Sequence, residues 1–322
     1  MQDHLDHLRK VTSEFKAELN RCAVDPGEEC VHHVRTGTRR VQAMVETILR
    51  EAGAPNPELE KTAQAWLKDL KKTRRAAAPV RDLDVHRSLL KKLLEREHRE
   101  KGESDAGAGN VEITLITAPA QLLPSGPVEQ QGDRLDAWLK HAREHQADSL
   151  KKEAAKRSKK LAARETEFES SLAAQARRRR RGLPKSATLV ALEAFVRLAD
   201  EIPELDESNL HDFRKGAKNA RYIAESGGGD ASAQAVAKVL KELQDDIGDW
   251  HDWLVLSEEA RTALDDAPEL FAILDAKVAK LYATSLRTAS KLRGQLMGEW
   301  QALRIRPRRR EAAAVDAGSR SA

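Results

Sequence analysis

The sequence predicts an all-α protein built as two helical bundles, and three observations carry that prediction. Charged residues make up 34% of the chain, while Gly (17) and Pro (11) are sparse among 322 residues, a balance that favours soluble helix over sheet or coil. Apolar residues recur at helical spacing almost throughout, and β-branched and aromatic residues seldom alternate in the period-two manner of strands. One block of sequence also occurs twice. The length suits two or three domains with a sizeable core.

The breaks between elements are legible in order. Asp25-Pro26-Gly27 opens a helix near Glu28, Gly53 to Pro57 closes it, and Ala78-Pro79 is expected to interrupt the next near Val80, because the residue before proline resists the α region. Residues 101–132, rich in Gly, Pro, Ser and Gln, read as a flexible loop in which the EITLIT run is a candidate strand. A long charged helix follows over residues 133–181, with 14 Lys/Arg against 6 Asp/Glu between Lys140 and Arg181, ending in the run Arg177–Arg181. Further helices are expected near 185–201, 206–226, 231–247, 249–265 and 268–304. The organisation is then a first half over 1–181, a second over 182–306, and a disordered basic tail over 307–322.

Composition also excludes. With Lys+Arg at 56 and Asp+Glu at 52, the net charge is only +4, so attraction to anions must come from the placement of cations. Cys22 and Cys30 make no disulfide framework and lack a C-x-x-C spacing, which fits a reducing cytoplasm. No apolar run approaches the roughly 18 residues of a spanning helix, and no membrane partner is expected.

In the doubled block, His32-His33-Val34-Arg35-Thr36-Gly37-Thr38-Arg39 aligns with His211-Asp212-Phe213-Arg214-Lys215-Gly216-Ala217-Lys218, and the match runs on to Glu46 against Glu225. A second stretch pairs Leu70-Lys71 with Leu240-Lys241 and Arg81-Asp82 with His251-Asp252. At 100° per residue, His32, Arg35, Arg39, Gln42 and Glu46 fall within about 80° of one another, with Val34, Val41, Met44, Val45 and Ile48 opposite. His211, Arg214, Lys218, Arg221 and Glu225 repeat those phases, with Phe213, Ala217, Ala220 and Ile223 opposite. Each helix thus has a core face and a face of His with Arg or Lys. Lys71, Arg74 and Arg75 add a basic stripe to the first half, where the second keeps Lys241 beside Gln244 and Asp245.

The pair of H-x-x-R-x-G helices, each followed by an L-K…(R/H)-D segment, resembles the CHAD family, the conserved-histidine α-helical domain, over roughly residues 1–306 apart from the loop. The resemblance implies two helical bundles related by a pseudo-twofold, with a basic central groove or cavity that binds inorganic polyphosphate. Members are often fused to a CYTH triphosphatase domain, whose E-x-E-x-K signature is missing here, so no hydrolase activity is carried over.

A polyphosphate chain offers about one charge per phosphate and no base edges, so its binder needs cations with hydrogen-bond donors spaced along a groove. The candidates are His32, Arg35, Arg39, Arg40, Lys71, Arg74, Arg75 and Arg81 in the first half, and His211, Arg214, Lys215, Lys218, Arg221, Lys241 and His251 in the second. Glu46 and Glu225 are expected to orient cations from behind. His33, His86, His98 and His141 have no counterpart in the repeat and read as surface residues, and Trp66, Trp250 and Trp253 as core.

Rival readings weigh less. Metal binding at His32 with Asp82, or at His211 with Asp252 or His251, is opposed by cations three and seven residues beyond each motif histidine. There is no P-loop, dinucleotide turn, nucleophile elbow or cofactor motif, so an enzyme such as a metal-dependent phosphohydrolase ranks third. Nucleic acid, engaged through Arg177–Arg181 or the basic tail, is the nearer alternative, but aromatics are only 4% and none interleaves with the basic stripes. The expected role is a non-catalytic cytoplasmic adaptor at polyphosphate granules, with granule proteins as further partners.

Overall fold

The computed structural model describes residues 2–52, 56–106, 127–176, 186–227 and 230–319. Among these the chain forms helices and no strand: α1 (Gln2–Val24), α2 (Glu28–Ala52), α3 (Pro57–Ala106), α4 (Pro127–Ala176), α5 (Ala187–Glu201), α6 (Leu210–Glu225), α7 (Ala231–Ala263) and α8 (Pro268–Ser319). The starts follow local chemistry. Pro57, Pro127 and Pro268 each take the first helical position, where no N–H is required. Asn56 Oδ1 accepts from the amides of Glu58 and Leu59, and the Asp230 carboxylate from those of Ser232 and Ala233.

Helices α1–α4 pack around Leu8, Phe15, Leu19, Val34, Val41, Ile48, Trp66 and Phe168, and α5–α8 around Phe195, Phe213, Leu240, Leu243, Trp250 and Leu292. Within each half the neighbours follow one order: first with second, second with third, third with fourth, and first with fourth. The glycine of each motif permits this packing, because a Cβ on Gly37 would lie 3.0 Å from the Phe15 ring and one on Gly216 would collide with Leu198. A further core joins the halves: Leu90 of α3 with Leu135 and Leu139 of α4 meets Leu256 of α7 with Leu270 and Leu274 of α8. The tips of the two long hairpins therefore hold one another.

Several boundaries differ from expectation. Pro79 does not break α3, which runs through it for 50 residues. Ala77 and Val80, both wholly buried, anchor the helix on either side, while Pro79 is exposed, so the lost backbone bond falls on the solvent side. Gly248 does not divide α7, since Ile247 and Trp250 are buried and hold the turn. Helix α3 extends to Ala106 and α4 begins at Pro127, so the connection is shorter than 101–132. The EITLIT run and Arg177–Arg181 lie outside the described residues. The backbone of α8 continues to Ser319, across most of the segment expected to be a disordered tail, consistent with its Ala-rich stretch at 312–314.

Candidate functional site

Helices α2 and α6, which carry the two motifs, touch where the halves meet. Between them, with α3 and α7 completing the walls, lies a cavity of about 460 Å³. Helix α2 contributes Arg35, Arg39 and Gln42; α3 contributes Arg74, Asp82 and His86; α6 contributes His211, Arg214, Lys215, Lys218, Asn219 and Tyr222; α7 contributes His251, Asp252 and Val255. Arginine and lysine dominate the walls, and the carboxylates among these residues are Asp82 and Asp252.

The two motif arginines take corresponding seats. Arg35 Nη1 donates to the Ala78 carbonyl at 3.2 Å and to Asp82 at 2.6 Å. Arg214, its partner in the repeat, packs on Gly248, the counterpart of Ala78, and donates from Nε to the Gln244 carbonyl at 2.9 Å. A side chain at 248 would occupy the space of that guanidinium. Below them the repeat exchanges cation and amide: Arg74 donates to Gln42 at 3.0 Å, while the equivalent pair is Gln244 and Arg221. Gln42 in turn donates to Glu46 at 2.9 Å. The His211 ring stacks on His251 with centroids 3.7 Å apart, and His211 Nδ1 is buried without a hydrogen-bond partner.

These groups repel. Burial lowers the Lys218 ammonium to about 7, and the charges of Arg214, Arg39, Arg35 and Arg221 push the same way. Burial and neighbouring cations likewise depress Arg39, Arg74 and Arg214. His211 falls to about 4 through burial, His251, Lys215 and Arg214, so its ring is neutral at pH 7. Burial raises the Asp252 carboxyl, but His251, Arg214 and His86 outweigh it and hold the group below its ordinary value. Partly desolvated cations facing one another are stabilised by an anion among them.

The CHAD domain family model matches residues 2–261. The chain belongs to the CHAD family. A crystal structure of the CHAD domain from the plant Ricinus communis superposes with a TM-score of 0.56 at 16% identity, covering 90% of this chain and 88% of that one, and shows the shared fold. Comparison with curated proteins finds no match.

Of the cations and histidines expected to form the CHAD site, Arg35, Arg39, Arg74, His211, Arg214, Lys215, Lys218 and His251 line the cavity. The others lie elsewhere. His32 is exposed on α2, tilted against His33 with ring centroids 5.8 Å apart, and is lowered by burial and the nearby Arg81. Arg40 lines a different cavity with Phe15 of α1, because it sits about 100° around the helix from Arg39. Lys71 and Arg75 are exposed on α3, and Arg81 reaches Glu28 at 2.9 Å. Arg221 lies over the Tyr222 ring at 4.9 Å and pairs with Glu225 at 3.2 Å; Lys241 pairs with Asp245 at 2.5 Å.

The expectation that His86 is a surface residue is overturned: it is 2% exposed, lines the cavity and holds Glu259 of α7 at 2.7 Å, because α3 packs on α7 there. His33, His98 and His141 are exposed, and all three tryptophans are buried as expected. Asn219, Tyr222 and Val255 were missed, although each continues a basic face by one turn beyond Lys215, Lys218 or His251. Asp82 and Asp84 serve as ion-pair partners of Arg35 and Arg143. Among the described residues no three His, Cys, Asp or Glu side chains converge to hold a metal ion, and no helix is long and apolar enough to cross a membrane.

Proposed function

We propose that this CHAD chain binds inorganic polyphosphate in the cavity between α2 and α6, as a non-catalytic binding or adaptor protein of polyphosphate granules in the cytoplasm. The observation that carries the reading is the set of Arg35, Arg39, Arg74, Arg214 and Lys218, gathered from three helices into one partly desolvated space. Successive phosphates of a flexible chain are matched by guanidinium forks at this density, since each is charged and accepts several hydrogen bonds. A base or sugar finds little to recognise, because Tyr222 is the lone tyrosine, tryptophan or phenylalanine in the lining.

Titration with polyphosphate, single-stranded RNA and duplex DNA at one fixed salt concentration tests it. Polyphosphate is expected to bind tightest by at least an order of magnitude; equal affinities would replace it with a general polyanion binder. Incubation with polyphosphate and magnesium or manganese is expected to release no phosphate above a blank. Metal-dependent turnover lost on changing His211 would make the protein a phosphohydrolase.

A further inference from the structure

Another cavity, of about 510 Å³, follows α3 where α4 and the start of α2 border it. Its carboxylates are Glu28, Asp84, Glu95, Asp133 and Asp136. Only Arg87 and Lys91 oppose them in the lining, the reverse of the cavity between α2 and α6. Some of this charge is answered: Arg87 grips Asp136 at 2.8 and 3.0 Å, Arg81 reaches Glu28 at 2.9 Å, and Lys91 stands 4.0 Å from Glu95 in an exposed pair that solvent screens. Asp133 is exposed and has no ion-pair partner among the described residues.

Asp84 makes the groove more than an acidic patch. Its side chain is 6% exposed; Oδ1 accepts from Arg143 Nε at 2.8 Å, but the buried Oδ2 has no hydrogen-bond partner. A buried carboxylate oxygen left without a donor is destabilising and rarely retained without a use. Burial also raises the Asp84 carboxyl, a penalty that a donated N–H would relieve.

The layout selects the class of donor. Asp84, Ser88, Lys91 and Glu95 succeed one another along one side of α3, and the two carboxylates are separated by roughly 16 Å of helix at 1.5 Å per residue. Leu90 and Leu94 lie in the wall, giving apolar surface between the charges. The acids are strung out instead of converging, so they do not form a metal site among the described residues. We propose that this groove binds a linear alkyl polyamine, with one primary ammonium donating to Asp84 Oδ2, its methylenes on Leu90 and Leu94, and a second ammonium toward Glu95. The proposal is independent of the polyphosphate reading, since no residue is shared by the two linings.

Isothermal titration of the full chain with spermidine at low salt, without any polyanion, tests it, with butylamine and magnesium as comparison ligands. Spermidine is expected to bind at one site, and more tightly than either comparison. Asp84→Asn keeps an acceptor for Arg143 while replacing the unpartnered oxygen and removing the carboxylate charge, whose ionised form burial already disfavours. That variant is expected to melt no lower than wild type, to bind polyphosphate as wild type does, and to lose spermidine affinity by roughly tenfold or more, the worth of one charge-assisted hydrogen bond. Should it fail to fold, the exposed pair Asp133→Asn with Glu95→Gln is expected to show the same loss. An undetectable spermidine heat, an affinity unchanged in the folded variants, or magnesium binding as tightly as spermidine would overturn the proposal.

Discussion

Replacing Lys218 with Met should make the protein more stable and a poorer polyphosphate binder. The unfolded chain holds this proton with the ordinary value of 10.5, whereas the folded chain holds it at about 7. Between those values the unfolded state binds more protons, so wild-type stability rises with pH across the window and is lowest, and flat with respect to this group, below it. At pH 7 the difference sets a ceiling of about 4 kcal/mol on what the ammonium costs the fold, at 1.36 kcal/mol per unit. Water entering the cavity screens the repulsion, so about 2 kcal/mol is the expected effect, or about 3 °C in melting temperature for a chain of this length. Met fills a similar volume without charge. Paired melts of wild type and Lys218→Met from pH 6 to 10 read the difference directly. The variant's advantage should be greatest at pH 7 and below, and should shrink toward pH 10, where the folded protein has shed the Lys218 proton and the pH approaches the ordinary value of 10.5 at which the unfolded chain loses it too. Polyphosphate affinity at pH 7 should fall by roughly tenfold. A variant less stable than wild type at pH 7, or an advantage independent of pH, would refute the argument that crowded cations are held there at the expense of stability.

The double changes Arg35→Ala with Arg39→Ala, and Arg214→Ala with Lys218→Ala, should each weaken polyphosphate binding and reduce the slope of log K against log salt by about 1.4, or about 0.7 per lost phosphate contact; no change on removing one pair would mean that the halves do not share a ligand. Gly248→Ala puts a methyl group where the Arg214 guanidinium lies, and should lower polyphosphate affinity while far-ultraviolet circular dichroism stays helical, whereas Gly294→Ala, with open space around it, should not. Cys22 and Cys30 are 0% and 3% exposed, so a chromogenic thiol reagent should report no fast-reacting thiol in the native protein and two after denaturation in guanidinium.

Much of the site was legible because its geometry is mostly helical phase. Arg35, Arg39, Arg214 and Lys218 share a face by spacing alone, and the opposite face buries Val34, Val41, Phe213 and Ala217 as the same spacing requires. Phase does not say how far along a helix a partner reaches. His32 shares the phase of Arg39 yet stands outside the cavity, while its repeat counterpart His211 is drawn in by the stack with His251. The corresponding residue in the first half is Arg81, which has no imidazole ring and reaches Glu28 at 2.9 Å. Two equal motifs thus make an unequal site.

The sequence by itself determined the all-α class, the repeat, the family and the cation-rich faces, because each is written in spacing along one helix. Only the tertiary structure decided that Pro79 and Gly248 lie inside continuous helices, where burial of flanking residues outweighs local propensity. It also decided that His86 is buried against Glu259, that the hairpin tips share a core, and that Asp84, in the wall of another groove, keeps a buried oxygen without a hydrogen-bond partner. Each depends on which helix lies opposite, and one-dimensional periodicity fixes the face of a helix but not its neighbour.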